Sequence, residues 1–300
     1  MRSSITIAAA WVALLASGSV AQQPRTGTLI VAHGADDEWN ARVHEIAAAV
    51  RTGGPVAVGF LMGPRAAEHR FQDAVRDLVG RGAERVVVVP LLASSHSGHY
   101  EQIRYLSGET NELSEQMLHH LHQAGITRPA ATVPLALTRA LDASMELADV
   151  LADHALRLAA RPPAQALFLV GHGPTSAEEH AEWMANLRPV ADSVARITRF
   201  RDVKLGLLRD DAPPPVRAEA VRGIREIIAL QHELTGQPVV VVPILIAKGY
   251  ISTHKLPKDL AGLPLAYDGE GLLPHPAIAR WVERQVSRSS ATSTRSPDAR

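Results

Sequence analysis

An α/β architecture of two similar halves, each a parallel sheet covered by helices, is predicted by three features of the chain. The first is an internal repeat. TLIVAHGADDEW at Thr28 is echoed by ALFLVGHGPTSAEEHAEW at Ala166, and RVVVVPLLA at Arg85 by PVVVVPILIA at Pro238. The histidines of the two His-Gly pairs lie 139 residues apart and the prolines closing the strands 153 apart, so the halves are equivalent units with insertions and not a solenoid. The second feature is that the β-branched runs are apolar on both faces, the pattern of strands buried between layers. The third is their alternation with segments of helical period, which implies parallel strands joined by crossover helices.

Taken in order, the chain opens with Arg2, an apolar run over 5–16 and the small residues Ser19, Val20 and Ala21 before Gln22. This is the pattern of an export signal, so residues 1–21 are expected to be removed and the mature chain to reach the periplasm. The run is shorter than the roughly 20 apolar residues that span a bilayer, and no membrane span is expected in the mature chain. The first half, 22–162, is expected to hold strands at 29–33, 56–61, 86–91 and 131–134, with helices at 38–51, 66–81 and 114–123. A helix within 138–161 then leads to a boundary at Pro162 and Pro163, which cannot continue it. The second half, 163–286, repeats the order with strands at 166–170, 203–208 and 239–245 and helices at 177–197 and 216–234. Residues 287–300 are Ser, Thr and Arg without apolar period and read as a disordered tail. The duplication is compatible with a monomer.

Composition removes several classes of function. Lys plus Arg and Asp plus Glu both number 31, so no overall field favours nucleic acid or an anionic membrane. With no cysteine there is no disulfide, thiolate zinc site or cysteine-linked haem, and any metal must be held by His, carboxylate or carbonyl groups. Neither a dinucleotide fingerprint nor a GxxxxGKS loop is present, so no nucleotide is expected. A histidine phosphatase would place Arg before the His of the His-Gly pair, where this chain has Ala32 and Gly171.

The chemistry concentrates where strands one and three end. In a doubly wound sheet of order 2-1-3-4 these strands are neighbours at the switch point, and ligands bind beyond their carboxyl ends. His33 closes strand one, and His96 and His99 follow strand three, so their imidazoles are placed to converge on one ion or to flank one flat ligand. Gly34 and Gly98 allow close approach. Ser94 and Ser95 offer a polar rim, and Tyr100 and Arg104 could stack on a macrocycle or pair with its carboxylates. In the second half His172 occupies the place of His33, and His254 follows the third strand at a looser spacing. His119, His120 and His122 read as a solvated helix face. The segment from Leu91 to the helix at 114 reads as a long functional or mobile loop, with an amphipathic helix face carrying Glu101 and Arg104 as the alternative.

Through LIVAHG, GFLMGP and RVVVVPLLASSHSGHYEQI, and their echo in the second half, the chain resembles the class II tetrapyrrole chelatases, the sirohydrochlorin cobaltochelatase and ferrochelatase family. The resemblance covers about Thr28 to Val286. It implies two flavodoxin-like halves facing a cleft, and ATP-independent insertion of a divalent metal, cobalt or iron with nickel a further option, into sirohydrochlorin or a related ring. It also implies that a His after strand one and another after strand three bind the incoming metal: His33 and His96, with His99 the competing match. The chain departs from the family's Phe-Leu-Glu pattern at the end of strand two, where it reads Phe60-Leu61-Met62. Metal insertion releases two pyrrole protons, which a carboxylate can accept and Met62 cannot. Glu101 is the expected substitute, with Glu68 and the cluster Asp36, Asp37 and Glu38 as others. The missing acid and the export signal together support an alternative, an exported carrier of a metal or tetrapyrrole on the same fold without catalysis.

Overall fold

The computed structural model describes residues 24–293; the expected export signal lies outside them. The first half runs β1 (Thr26–Ala32), α1 (Asp37–Ala49), β2 (Val56–Phe60), α2 (Phe71–Gly80), β3 (Arg85–Leu91), α3 (Gly98–Leu106), α4 (Glu115–Gln123), β4 (Leu135–Leu137) and α5 (Met145–Leu158). The second runs β5 (Ala166–Gly171), α6 (Ala177–Thr198), β6 (Asp202–Leu207), α7 (Pro214–Thr235), β7 (Val239–Ile244), α8 (Leu256–Asp259), β8 (Leu265–Ala266) and α9 (Pro276–Ser293). Each half holds one parallel sheet, of order β2-β1-β3-β4 and β6-β5-β7-β8. These are two flavodoxin-like halves with the predicted switch point between the first and third strands. Among the described residues no helix is long and apolar enough to cross a membrane.

Strand alternation assigns each residue to a layer. Ile30, Ala32, Val87, Val89 and Leu91 face a central core, whereas Leu29, Val31, Val86 and Val88 face the outer layer with α2 and α3. The central core also contains Leu167, Leu169, Val240 and Val242, so the two sheets share one interior. Two helices stitch them together. α5, the last helix of the first half, packs on β7 and α6, and α9, the last of the second, packs on β1, β3 and α1. Trp281 of α9 is fully buried in that core, and Arg284 of α9 pairs with the buried Glu146 of α5.

Three expectations are corrected. Residues 287–293 continue α9 instead of fraying, because Val286 is in the core and Arg85 Nη2 donates to both the carbonyl and the hydroxyl of Ser289, at 2.9 and 2.7 Å. The fourth strand lies at Leu135–Leu137 and not at 131–134. The long loop after β3 contains a helix, α3, started by Ser97, whose hydroxyl accepts from Tyr100 N. Tyr100, Ile103 and Leu106 form its buried face.

Candidate functional site

Each half turns sharply after its first strand. Gly34 and Gly173 adopt φ of +85° and +78°, a conformation that suits glycine. A side chain at Gly34 would also sit 2.2 Å from the Met62 carbonyl. The turn brings the Gly34 carbonyl to 2.7 Å from Nδ1 of His33, and the Gly173 carbonyl to 2.8 Å from Nδ1 of His172. A carbonyl only accepts, so in each neutral ring the proton is on Nδ1 and the lone pair on Nε2.

After β3, the Ser97 cap places His99 in the first turn of α3. Its ring meets that of His33 edge to face, with centroids 4.7 Å apart and planes at 84°. Nδ1 of His99 lies 2.9 Å from Oε1 of Gln102, whose amide nitrogen donates to the Met117 carbonyl at 3.0 Å. That second bond fixes the amide with its oxygen toward His99, so His99 too carries its proton on Nδ1. The result is two imidazoles, each held from behind by an acceptor and each presenting a lone pair, the arrangement that orients histidines toward a metal. Burial first, then the neighbouring His99, holds His33 down to about 4, so it is unprotonated at neutral pH. Burial lowers His99 as well.

The second half closes the other side. His172 and Asp211 both act electrostatically on His33 and on His99, the ring lowering and the carboxylate raising their proton affinity. Nε2 of His172 is 3.4 Å from Oδ2 of Asp211. Among the described residues no group of three or more His, Asp or Glu is gathered closely enough to hold a metal.

The pairing expected of His33 with His96 is replaced by His33 with His99. Both ring nitrogens of His96 are engaged elsewhere, Nδ1 at 3.0 Å from Oε2 of Glu182 and Nε2 at 3.4 Å from Nη2 of Arg139. Its carbonyl accepts from Nε1 of Trp183 at 2.5 Å, so His96 belongs to the seam between the halves. Glu101 is held by Arg104 at 2.9 Å on the face of α3 and is not freed for the cleft. Ser94 and Ser95 are buried supports: Ser94 Oγ accepts from His96 N, and Ser95 is clamped by Asp142 at 2.7 and 2.8 Å. Tyr100 is buried with its hydroxyl donating to the Thr138 carbonyl, which removes it as a stacking platform. Gly98 makes room for Met117, whose methyl would lie 2.9 Å from an added Cβ. His254 stacks on Tyr250 at 5.0 Å.

Sequence reasoning passed over Asp211 and Gln102, and read His120 as solvated. His120 is half-buried, its Nδ1 has no hydrogen-bond partner, and it acts on His99. The helical period over 114–123 gave no sign of this, because it depends on how α4 packs beside α3. A groove of about 700 Å³ runs elsewhere, between the end of β4 and α9, lined by Arg85, Thr138, Arg139, Asp142 and Gln285.

The CbiX family profile matches residues 27–158, the stretch that carries His33, His99 and the sheet between them. The first half of the chain is thus similar to the CbiX family, the match ending before the second half begins. Solved chelatases share the fold of both halves. SirB from Bacillus subtilis with Fe3+ superimposes with a TM-score of 0.61 at 17% identity, over 90% of this chain and 97% of that one. SirB from Bacillus subtilis subspecies spizizenii, described as a sirohydrochlorin chelatase in complex with cobalt, gives 0.59 at 14% identity over the same shares, 90% and 97%. DR2241 from Deinococcus radiodurans, a multi-domain protein with structural similarity to chelatases, gives 0.56 at 19% identity over 88% of this chain and 55% of that one. No curated protein matches the chain by sequence.

Proposed function

We propose that this chain is a class II chelatase, which binds a divalent metal through Nε2 of His33 and His99 and inserts it, without nucleotide, into sirohydrochlorin or a related tetrapyrrole. Co(II) or Fe(II) is the metal substrate, with Ni(II) a further one. The observation that carries this reading is the edge-to-face pair of imidazoles at 4.7 Å, each with Nδ1 tied to an acceptor. Imidazole suits cobalt, iron and nickel. Two protein ligands leave the remaining coordination positions to water and then to ring nitrogens, which a site that must release its metal requires. Protons compete weakly for His33 at neutral pH, because its proton affinity is already low. The family match supports the reaction class, and the solved SirB structures with Fe3+ and cobalt support the metals.

The test is anaerobic: Co(II) and sirohydrochlorin are mixed with and without the purified chain, and the absorption bands of the ring are followed. Accelerated metallation that disappears in His33→Ala and His99→Ala supports the reading. Metal or ring binding without acceleration supports the alternative, an exported carrier, which Met62 in place of the family's acid favours. Export itself is tested by sequencing the N-terminus of the chain recovered from periplasmic fluid, with cleavage expected after Ala21.

A further inference from the structure

A second pair of imidazoles stands apart from His33 and His99. His44 lies on α1, and His69 follows the short 3-10 turn Ala66–Glu68. Their rings meet with centroids 4.9 Å apart and planes at 56°. Both lie edge to face with the ring of Phe60, His44 at 5.6 Å and His69 at 5.4 Å, and Phe60 is buried at the end of the edge strand β2. Their backbones are fixed. His69 N donates to the Ala66 carbonyl at 3.2 Å, and the His69 carbonyl accepts from Phe60 N at 2.9 Å. The buried Val43 and Ile46 hold α1 in the core on either side of His44. His44 is exposed and His69 half-buried, and among the described residues no hydrogen bond engages either ring. The ring nitrogens of His69 are not buried, so they face water.

The spacing of the rings is that of two imidazoles on one ion. With a metal–nitrogen bond of about 2.1 Å, a ring centre about 1.1 Å behind the nitrogen and an N–metal–N angle of about 90–110°, the centroids lie about 4.5–5.2 Å apart. The observed 4.9 Å falls inside that range. We propose that His44 and His69 form an outer site for a divalent transition-metal ion, separate from the His33–His99 pair and independent of the chelatase reading. Its chemistry differs from that of the inner pair. No acceptor ties Nδ1 of either ring, so either nitrogen of each can serve and no fixed tautomer orients the site in advance. The neighbouring carboxylates are taken, Glu45 by Arg42 at 3.0 Å and Glu68 by Arg65 at 2.9 Å, so water fills the remaining positions. A site of two nitrogens and water that imposes little geometry follows the general order of divalent affinities. Cu(II) is therefore its preferred occupant and Ni(II) the next, while Co(II) and Fe(II) bind only weakly.

The experiment labels the unaltered chain with diethyl pyrocarbonate, which acylates unligated imidazole nitrogen, and reads each histidine by mass spectrometry across a Cu(II) titration. His44 and His69 are expected to lose reactivity together, with one midpoint. Ni(II) should need a higher concentration and Co(II) a higher one again. His44→Gln should raise the Cu(II) midpoint of His69 at least about 10-fold, because losing a ligand costs no less than losing an outer partner. His69→Gln should do the same to His44. If either variant is unstable, the shared midpoint in the unaltered chain decides the case. Absent protection, protection of one ring without the other, separate midpoints or an inverted metal order overturns the inference, as does a midpoint unmoved in either variant. No metallation is measured, so these outcomes leave the chelatase reading intact.

Discussion

His33 and His172 stand at the same place in two sheets of the same topology, yet only His33 has a second imidazole beside it. The reason lies in the loop after the third strand. Counting on from the equivalent Pro90 and Pro243, His96 corresponds to Gly249 and His99 to Ser252. In the first half this stretch is an ordinary helix that sets His99 against His33. In the second it is a π-helical turn, Ile251–Lys255, in which Ser252 is buried and exchanges hydrogen bonds with Gly249 at 3.1 Å. Both halves kept the contact that joins them. Trp183 donates to the His96 carbonyl, and its counterpart Trp39 packs within 3.4 Å of where a side chain on Gly249 would begin. Duplication thus retained the seam while the two clefts diverged, one into a pair of imidazoles and the other into an imidazole beside a carboxylate.

The largest effect expected from this asymmetry is on metal affinity. His33→Ala or His99→Ala should weaken Co(II) binding by at least about 100-fold, more than the loss of an outer hydrogen-bond partner costs. His172→Ala should leave the affinity within about threefold, as calorimetry would show; equal losses in all three variants would erase the distinction between the halves.

Acid stability should report the burial of His33. His33 falls from 6.5 to about 4 on folding, chiefly through burial, so the native state resists its protonation. For a group depressed in this way, the stability present above about pH 6.5 is lost as the pH falls toward 4, by up to about 3 kcal/mol. Urea unfolding of the metal-free chain at pH 7.5 and 4 should show that loss shrinking in His33→Gln.

A smaller effect tests whether the halves can be made alike. Ser252→His places a ring where the second half has a filled interior, and should cost about 1–3 kcal/mol without creating a second Co(II) equivalent. A second equivalent would mean that the clefts differ by that one residue. The smallest effect is at the seam: Trp183→Phe removes one hydrogen bond to His96 and should lower stability by about 1 kcal/mol, read from the urea midpoint.

Much of this was legible in the sequence, for physical reasons. Runs such as VVVVP cannot be placed except between layers, and the His-Gly pair after a strand announces a tight turn beside a switch point. His33 was readable because its place is set by one strand and one glycine. The choice between His96 and His99 was not, because three residues of loop slide freely until Ser97 is known to cap a helix. Glu101 and Tyr100 looked available for chemistry until α3 turned the first toward Arg104 and buried the second.

The sequence by itself determined the two parallel sheets, their duplication and the histidines at their carboxyl ends, since apolar periodicity and turn residues act locally. Only the tertiary structure decided which imidazoles meet, that α5 and α9 cross between the halves, and that Asp211 acts on a histidine nearly 180 residues away in the chain. Those are long-range contacts, fixed by packing two sheets into one core, and no local pattern in either segment encodes them.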